Sequence, residues 1–150
     1  MNRAGSSGIH GTPPEFIAAV VRRWGPLSFD LAASPDNAKA ARFYTEADDA
    51  LVQPWHTLPG LLWLNPPFGN IALWAKKCYT ESLLGARIIM LTPASVGANW
   101  YRDWCWNQAR TIALCGRITF VGSKDPYPKD CMLTVFGGIE GSGFECWTWK

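Results

Sequence analysis

The 150-residue chain has little of what most catalytic centres are built from. Only two histidines are present, His10 and His56, and there is no HExxH pairing. A metal centre or a histidine general base therefore has almost nothing to draw on. The five cysteines (Cys78, Cys105, Cys115, Cys131, Cys146) are odd in number, scattered and without a CxxC. That pattern argues against a disulfide framework and fits reduced thiols in a cytoplasm. No apolar run approaches the ~20 residues of a membrane span, and Arg87 and Pro93 interrupt the best candidate. The start lacks an apolar signal core, and residues 1–11 read as a loose polar lead-in. Net charge is only +2, so a nucleic-acid partner is permitted without being demanded, and any basic patch has to be local. What is plentiful is apolar: hydrophobic residues are 48% and charged ones 17%, which describes one globular domain over residues 1–150. Some of the nine tryptophans must serve the core, and an aromatic excess also suits stacking on bases.

Read in order, Thr12-Pro13-Pro14-Glu15 predicts a helix start. Thr12 is the expected cap, Pro13 takes the first helical position and Glu15 closes a capping box. Phe16, Ile17, Val20, Val21 and Trp24 form its apolar stripe, and Gly25-Pro26 ends it. Residues 27–31 alternate as a short strand with Asp30 at its end. Ligands of open α/β sheets gather beyond the carboxyl ends of strands. The small residues Ala32, Ala33 and Ser34 would let one approach the backbone, although a helix cap at Ser34 or Asp36 explains the run as well. Glu46, Asp48 and Asp49 are either solvated surface or acceptors for a ligand's hydroxyl and amino groups.

Leu61-Leu62-Trp63-Leu64 reads as a buried strand, halted by Asn65-Pro66-Pro67-Phe68. Two prolines make that turn stiff and remove two N–H donors. It offers acceptors, the Asn65 side-chain oxygen and the Pro66 carbonyl, beside the aromatic face of Phe68. Such parts suit holding a planar NH2 group by both hydrogens while stacking on its ring. Ile71, Leu73, Trp74, Cys78 and Leu83 then predict a helix ending near Gly85, and residues 87–92 a second buried strand closed by Pro93. Strand, helix and strand make a parallel, right-handed βαβ unit. A helix is expected over residues 99–108 and a strand over 111–115. Residues 117–121 and 131–136, joined by a polar loop, read as part of an antiparallel hairpin at one edge of a mixed sheet. Residues 144–149 are a terminal strand or an ordered tail.

NPPF resembles the (D/N/S)PP(Y/F) signature of S-adenosylmethionine-dependent amino-methyltransferases. The wider pattern is more specific. TPPEF, FDLAASPDNAKAARFYTEADDAL, Trp55, LNPPF, LTPAS and GRITF together resemble the phage-type DNA N-6-adenine methyltransferase (Dam) family, from about residue 12 to 136. The resemblance implies a shortened Rossmann-like methyltransferase fold, with S-adenosylmethionine as cofactor and adenine in DNA as target. It implies a catalytic turn at Asn65, Pro66, Pro67 and Phe68, and a cofactor pocket lined by Asp30, Ala32, Ala33 and Ser34. Thr12 and Pro13 resemble the segment beside the cofactor's methionine end, and Asp49 the acid near its adenine. Only 34 residues separate Asp30 from Asn65, so at most one crossover connection fits between them. Nothing resembles an inserted target-recognition domain, so sequence specificity is expected to be modest or to come from short loops.

The scheme implied is direct attack of the adenine N6 on the sulfonium methyl, with Asn65 and Pro66 drawing the amine toward sp3 and no histidine base required. A duplex adenine has to flip out and stack on Phe68. Tyr127 is a second stacking partner or a surface tyrosine between Pro126 and Pro128. Arg102, Arg110, Arg117, Lys124 and Lys129 are solvated charges or, as a group, the best phosphate contacts. An amino-methyltransferase of RNA or protein, and a non-catalytic tryptophan-rich nucleic-acid-binding module, are the alternatives that stay open.

Overall fold

A computed structural model describes residues 11–138 and 140–150, so the lead-in apart from Gly11 lies outside the described residues. The elements are helix α1 (Pro14–Trp24), strands β1 (Leu27–Asp30) and β2 (Leu61–Leu64), helix α2 (Ile71–Leu83), strand β3 (Arg87–Pro93), helix α3 (Asn99–Trp104), and strands β4 (Arg110–Cys115), β5 (Cys131–Phe136) and β6 (Gly143–Thr148). All six strands share one sheet, ordered β1-β2-β3-β5-β4-β6. β1, β2 and β3 run parallel, β5 runs against both of its neighbours, and β6 runs parallel to β4. This is the mixed α/β sheet expected of a Rossmann-like methyltransferase.

Alternation along the strands divides the core into two layers. Trp63, Ile89, Leu91, Leu133 and Ile112 face Phe16, Ala19 and Val20 of α1. Leu62, Leu64, Ile88, Met90 and Phe136 face Trp74, Ala75 and Cys78 of α2 and Tyr101 of α3. Every residue of β2 is buried, as its unbroken apolar run requires of a strand covered on both faces.

Four local expectations need correction. Helix α1 begins at Pro14 with Pro13 as cap, and no side chain caps it. The Pro13 carbonyl takes the N–H groups of Phe16 and Ile17 at 3.1 and 3.2 Å, which leaves the Thr12 hydroxyl to another partner. The buried stripe of α2 is Ile71, Trp74, Ala75, Cys78 and Glu81, at i, i+3, i+4, i+7 and i+10 spacing. Leu73 and Leu83 lie off that face and are exposed. Helix α3 stops at Trp104 rather than near residue 108, because the chain turns through Asn107 in the left-handed region (φ 62°). Residues 117–121 form no strand beyond an isolated Gly11–Val121 bridge. The antiparallel partner of β5 is β4, and this pair lies inside the sheet because β6 occupies the edge.

The single crossover from β1 to β2 contains no α-helix. Three 3-10 turns, Glu46–Asp48, Ala50–Val52 and Trp55–Thr57, take its place. Trp55 is fully buried, and its indole N–H donates to the Ala50 carbonyl at 2.8 Å. One tryptophan thus fills the space that a crossover helix would cover. Residues 42–44 shield the open edge of β1: Asp30 donates to the Arg42 carbonyl and Tyr44 to the Asp30 carbonyl, both at 3.0 Å. Among the described residues no helix is long and apolar enough to cross a membrane.

Candidate active site

Parallel pairing of Leu27 with Leu61 and of Asp30 with Trp63 brings the carboxyl ends of β1 and β2 side by side. The chain diverges there, β1 into the small-residue turn and β2 into the two-proline turn, and a cavity of about 220 Å³ opens between them. Its walls include Thr12, Asp30, Ala32, Ala33, Asp49, Asn65, Pro66 and Pro67. Asp30 and Asn65, far apart in sequence, thus share one space.

Asp30 is only 3% exposed. One carboxylate oxygen accepts the Ala32 N–H at 3.2 Å, and the other accepts the Lys39 N–H at 2.9 Å. Burial pushes its pKa up to about 6, outweighing those two hydrogen bonds and the Lys39 charge. At the end of β2, Asn65 Nδ2 donates to Thr12 Oγ1 at 3.0 Å. Thr12 is 1% exposed and Asn65 half-buried.

Three predicted residues lie off the cavity wall. Pro13 is buried as the cap of α1. Ser34 belongs to a local turn, its N–H donating to Asn37 Oδ1 at 2.8 Å. Phe68 is half-buried, with ring centroids 6.1 Å from Phe120 and 5.6 Å from Tyr127, both edge-on. Tyr127 is held by its own N–H, which donates to the Ile118 carbonyl at 2.7 Å. Residues 116–130 therefore bracket the aromatic end of the proline turn.

Arg117, Lys124 and Lys129 belong to that same segment, with Arg117 3.3 Å from Asp130. Arg102 is placed elsewhere. It sits on α3 beside Trp106 and Phe144, pairs with Asp103 at 2.8 Å, and lines a hollow that shares no residue with the main cavity. Arg110 is engaged by Glu145 at 2.8 Å, and that carboxylate also meets Arg23 at 2.8 Å. Among the described residues no group of His, Cys, Asp and Glu could hold a metal ion.

Sequence reasoning missed several wall residues, among them Asn37, Lys39, Thr45 and Trp74. Trp74 was legible only as part of a helix stripe. In the structure it stacks on Trp55 (6.2 Å, 25°), and its indole N–H is buried without a hydrogen-bond partner among the described residues. The acids also sort themselves. Asp48 accepts from the Thr45 N–H at 2.7 Å as a local cap, whereas Glu46 and Asp49 reach the wall.

The family model for DNA N-6-adenine-methyltransferase (Dam) matches residues 6–131. A DNA N-6-adenine-methyltransferase of Escherichia phage T1 is 28% identical over 137 residues, covering 91% of this chain and 57% of that protein. One of Haemophilus phage HP1 is 25% identical over 133 residues, covering 82% of this chain and 75% of that protein. The chain thus spans little more than half the length of the T1 protein. The matched stretch holds β1, β2 and both turns that wall the cavity, and the chain belongs to the DNA N-6-adenine-methyltransferase (Dam) family.

Proposed function

We propose that this chain transfers a methyl group from S-adenosylmethionine to the N6 amino group of adenine in DNA. The observation that carries this reading is the shared cavity, with a buried acid on one wall and the Asn-Pro-Pro turn on the other. The residues present fit the cofactor. Asp30 supplies a negative charge for its ammonium and sulfonium groups, Glu46 and Asp49 supply acceptors for its ribose or adenine, and the unpartnered Trp74 N–H adds a donor on the same wall. When bound, S-adenosylmethionine supplies a methyl group activated by a positively charged sulfur.

The chain's own work is to hold and polarise the amine. An exocyclic amine conjugated to a purine ring is a weak nucleophile. Asn65 Oδ1 and the Pro66 carbonyl accept its two hydrogens, favour sp3 character and free the nitrogen lone pair. Fixed dipoles placed where charge develops need no reorganisation. The proton that the amine gives up on methylation passes along its hydrogen bond to Asn65 Oδ1 or the Pro66 carbonyl and on to solvent, so no histidine base is required. Proline rigidity keeps the acceptors in register with Phe68, on which a flipped adenine stacks. Tyr127 stands beside that ring, and Arg117, Lys124 and Lys129, from the same segment of chain, serve as phosphate contacts.

The test is an Asn65→Ala variant assayed with radiolabelled S-adenosylmethionine on genomic DNA lacking adenine methylation. Methylation falls about 100- to 1,000-fold, the cost of losing one preorganised polar group. Cofactor binding measured by calorimetry stays within about threefold, roughly 0.7 kcal/mol. Full activity in this variant overturns the reading. Label entering RNA or protein in preference to DNA overturns the choice of substrate.

A further inference from the structure

The geometry points to Thr12 as a positioning residue that fixes where the Asn65 amide sits on the cavity wall. This rests on the reading of Asn65 as the acceptor for the target amine. Asn65 is only half-buried, so its side chain needs a hydrogen-bond partner to stay in one rotamer. An amide that swings away from this place loses the polarising contact with the amine.

Thr12 is placed to prevent this. Its hydroxyl is not spent on capping α1, because Pro13 is the cap and no side chain caps the helix. Instead Thr12 Oγ1 accepts from Asn65 Nδ2 at 3.0 Å, which ties the amide to the buried hydroxyl. Thr12 is almost completely buried and lines the same cavity as Asn65, so water does not readily replace it. Its backbone is anchored one residue earlier, where the Gly11 carbonyl accepts the Val121 N–H at 2.8 Å. Val121 belongs to the 116–130 segment that carries Tyr127 to Phe68. The orienting hydroxyl and the aromatic support of the turn thus hang from one piece of chain.

The experiment compares Thr12→Val with Thr12→Ser in the full chain, again on genomic DNA lacking adenine methylation. Valine keeps the buried shape and removes the hydroxyl, whereas serine keeps the hydroxyl. Thr12→Val is expected to lower kcat about tenfold, equivalent to 1.4 kcal/mol, with KM for S-adenosylmethionine changed less than about threefold. Thr12→Ser restores kcat to within about threefold of the parent. The side-chain NH2 resonances of Asn65 shift in the valine variant and hold their positions in the serine one. Equal kcat in parent and Thr12→Val, equal damage from valine and serine, or unmoved Asn65 resonances each overturn the inference. Activity surviving Asn65→Ala would instead remove the functional reading beneath it, while the resonances would still report whether the hydrogen bond exists.

Discussion

The two walls of the cavity are built on opposite principles. Asp30 is fastened by main-chain N–H groups, from Ala32 and Lys39, within a loop pinned along the edge of β1. Asn65 is held by a side-chain hydroxyl, that of Thr12, 53 residues away in sequence. Backbone donors are present whatever the side chains are, so the acidic wall is insensitive to substitution around it. The amide wall draws on a side chain, which a single substitution can remove. A charge that must be buried receives a permanent cradle, while a neutral group whose orientation matters is set by a replaceable partner.

The sharpest way to break this contrast is at Asp30. Asp30→Ala removes the one deeply buried acid on the cavity wall, and affinity for S-adenosylmethionine measured by calorimetry should fall about 100-fold or more, the cost of leaving a bound cation unpaired. The same titration on Asn65→Ala or Thr12→Val should move by less than about threefold. Comparable losses at both walls would mean that they do not divide the work.

A second effect is smaller and carries a sign. The Asp30 pKa is raised from 3.8 to about 6 by burial, so the folded chain binds more protons than the unfolded chain between those values. The contribution of Asp30 to stability is therefore fully present below about pH 4 and is lost as pH rises through 6, amounting to about 3 kcal/mol. Denaturant titrations from pH 4 to 7 should show parent stability declining relative to Asp30→Asn, which does not titrate there. A cationic ligand reverses the penalty. Binding S-adenosylmethionine at pH 6 should release about half a proton, detectable in buffers of different ionisation enthalpy, and Asp30→Asn should abolish the release.

The smallest effect concerns the support of the proline turn. Tyr127→Leu removes an edge-on aromatic partner of Phe68, worth about 0.5–1.5 kcal/mol. KM for DNA should rise about two- to tenfold. Tyr127→Phe keeps the ring and should stay within about twofold. If the phenylalanine variant is as impaired as the leucine one, the hydroxyl matters and the ring contact does not.

Much of this is legible in the sequence, for local reasons. An unbroken apolar run stopped by two prolines can only be a buried strand entering a rigid turn, and β2 spans Leu61–Leu64 as expected. The apolar stretch after the polar loop placed β5 at Cys131–Phe136, and the count of residues between Asp30 and Asn65 limited the chain to one crossover. Other features depend on contacts that no window of sequence contains. The insertion of β5 between β3 and β4 depends on which strands meet across the sheet. Arg102 looks like any other cation until α3 carries it to a different hollow.

Thr12 makes the division clearest. Its neighbours Pro13, Pro14 and Glu15 make it look like a helix cap, because capping is a local interaction that local sequence can advertise. Its hydroxyl is instead claimed by Asn65, a partner brought within 3.0 Å only by folding. Local chemistry determined the strands, the turns and the identity of the polar groups. Tertiary packing decided which of those groups meet, because hydrogen bonds go to the donor or acceptor that folding brings nearest in space.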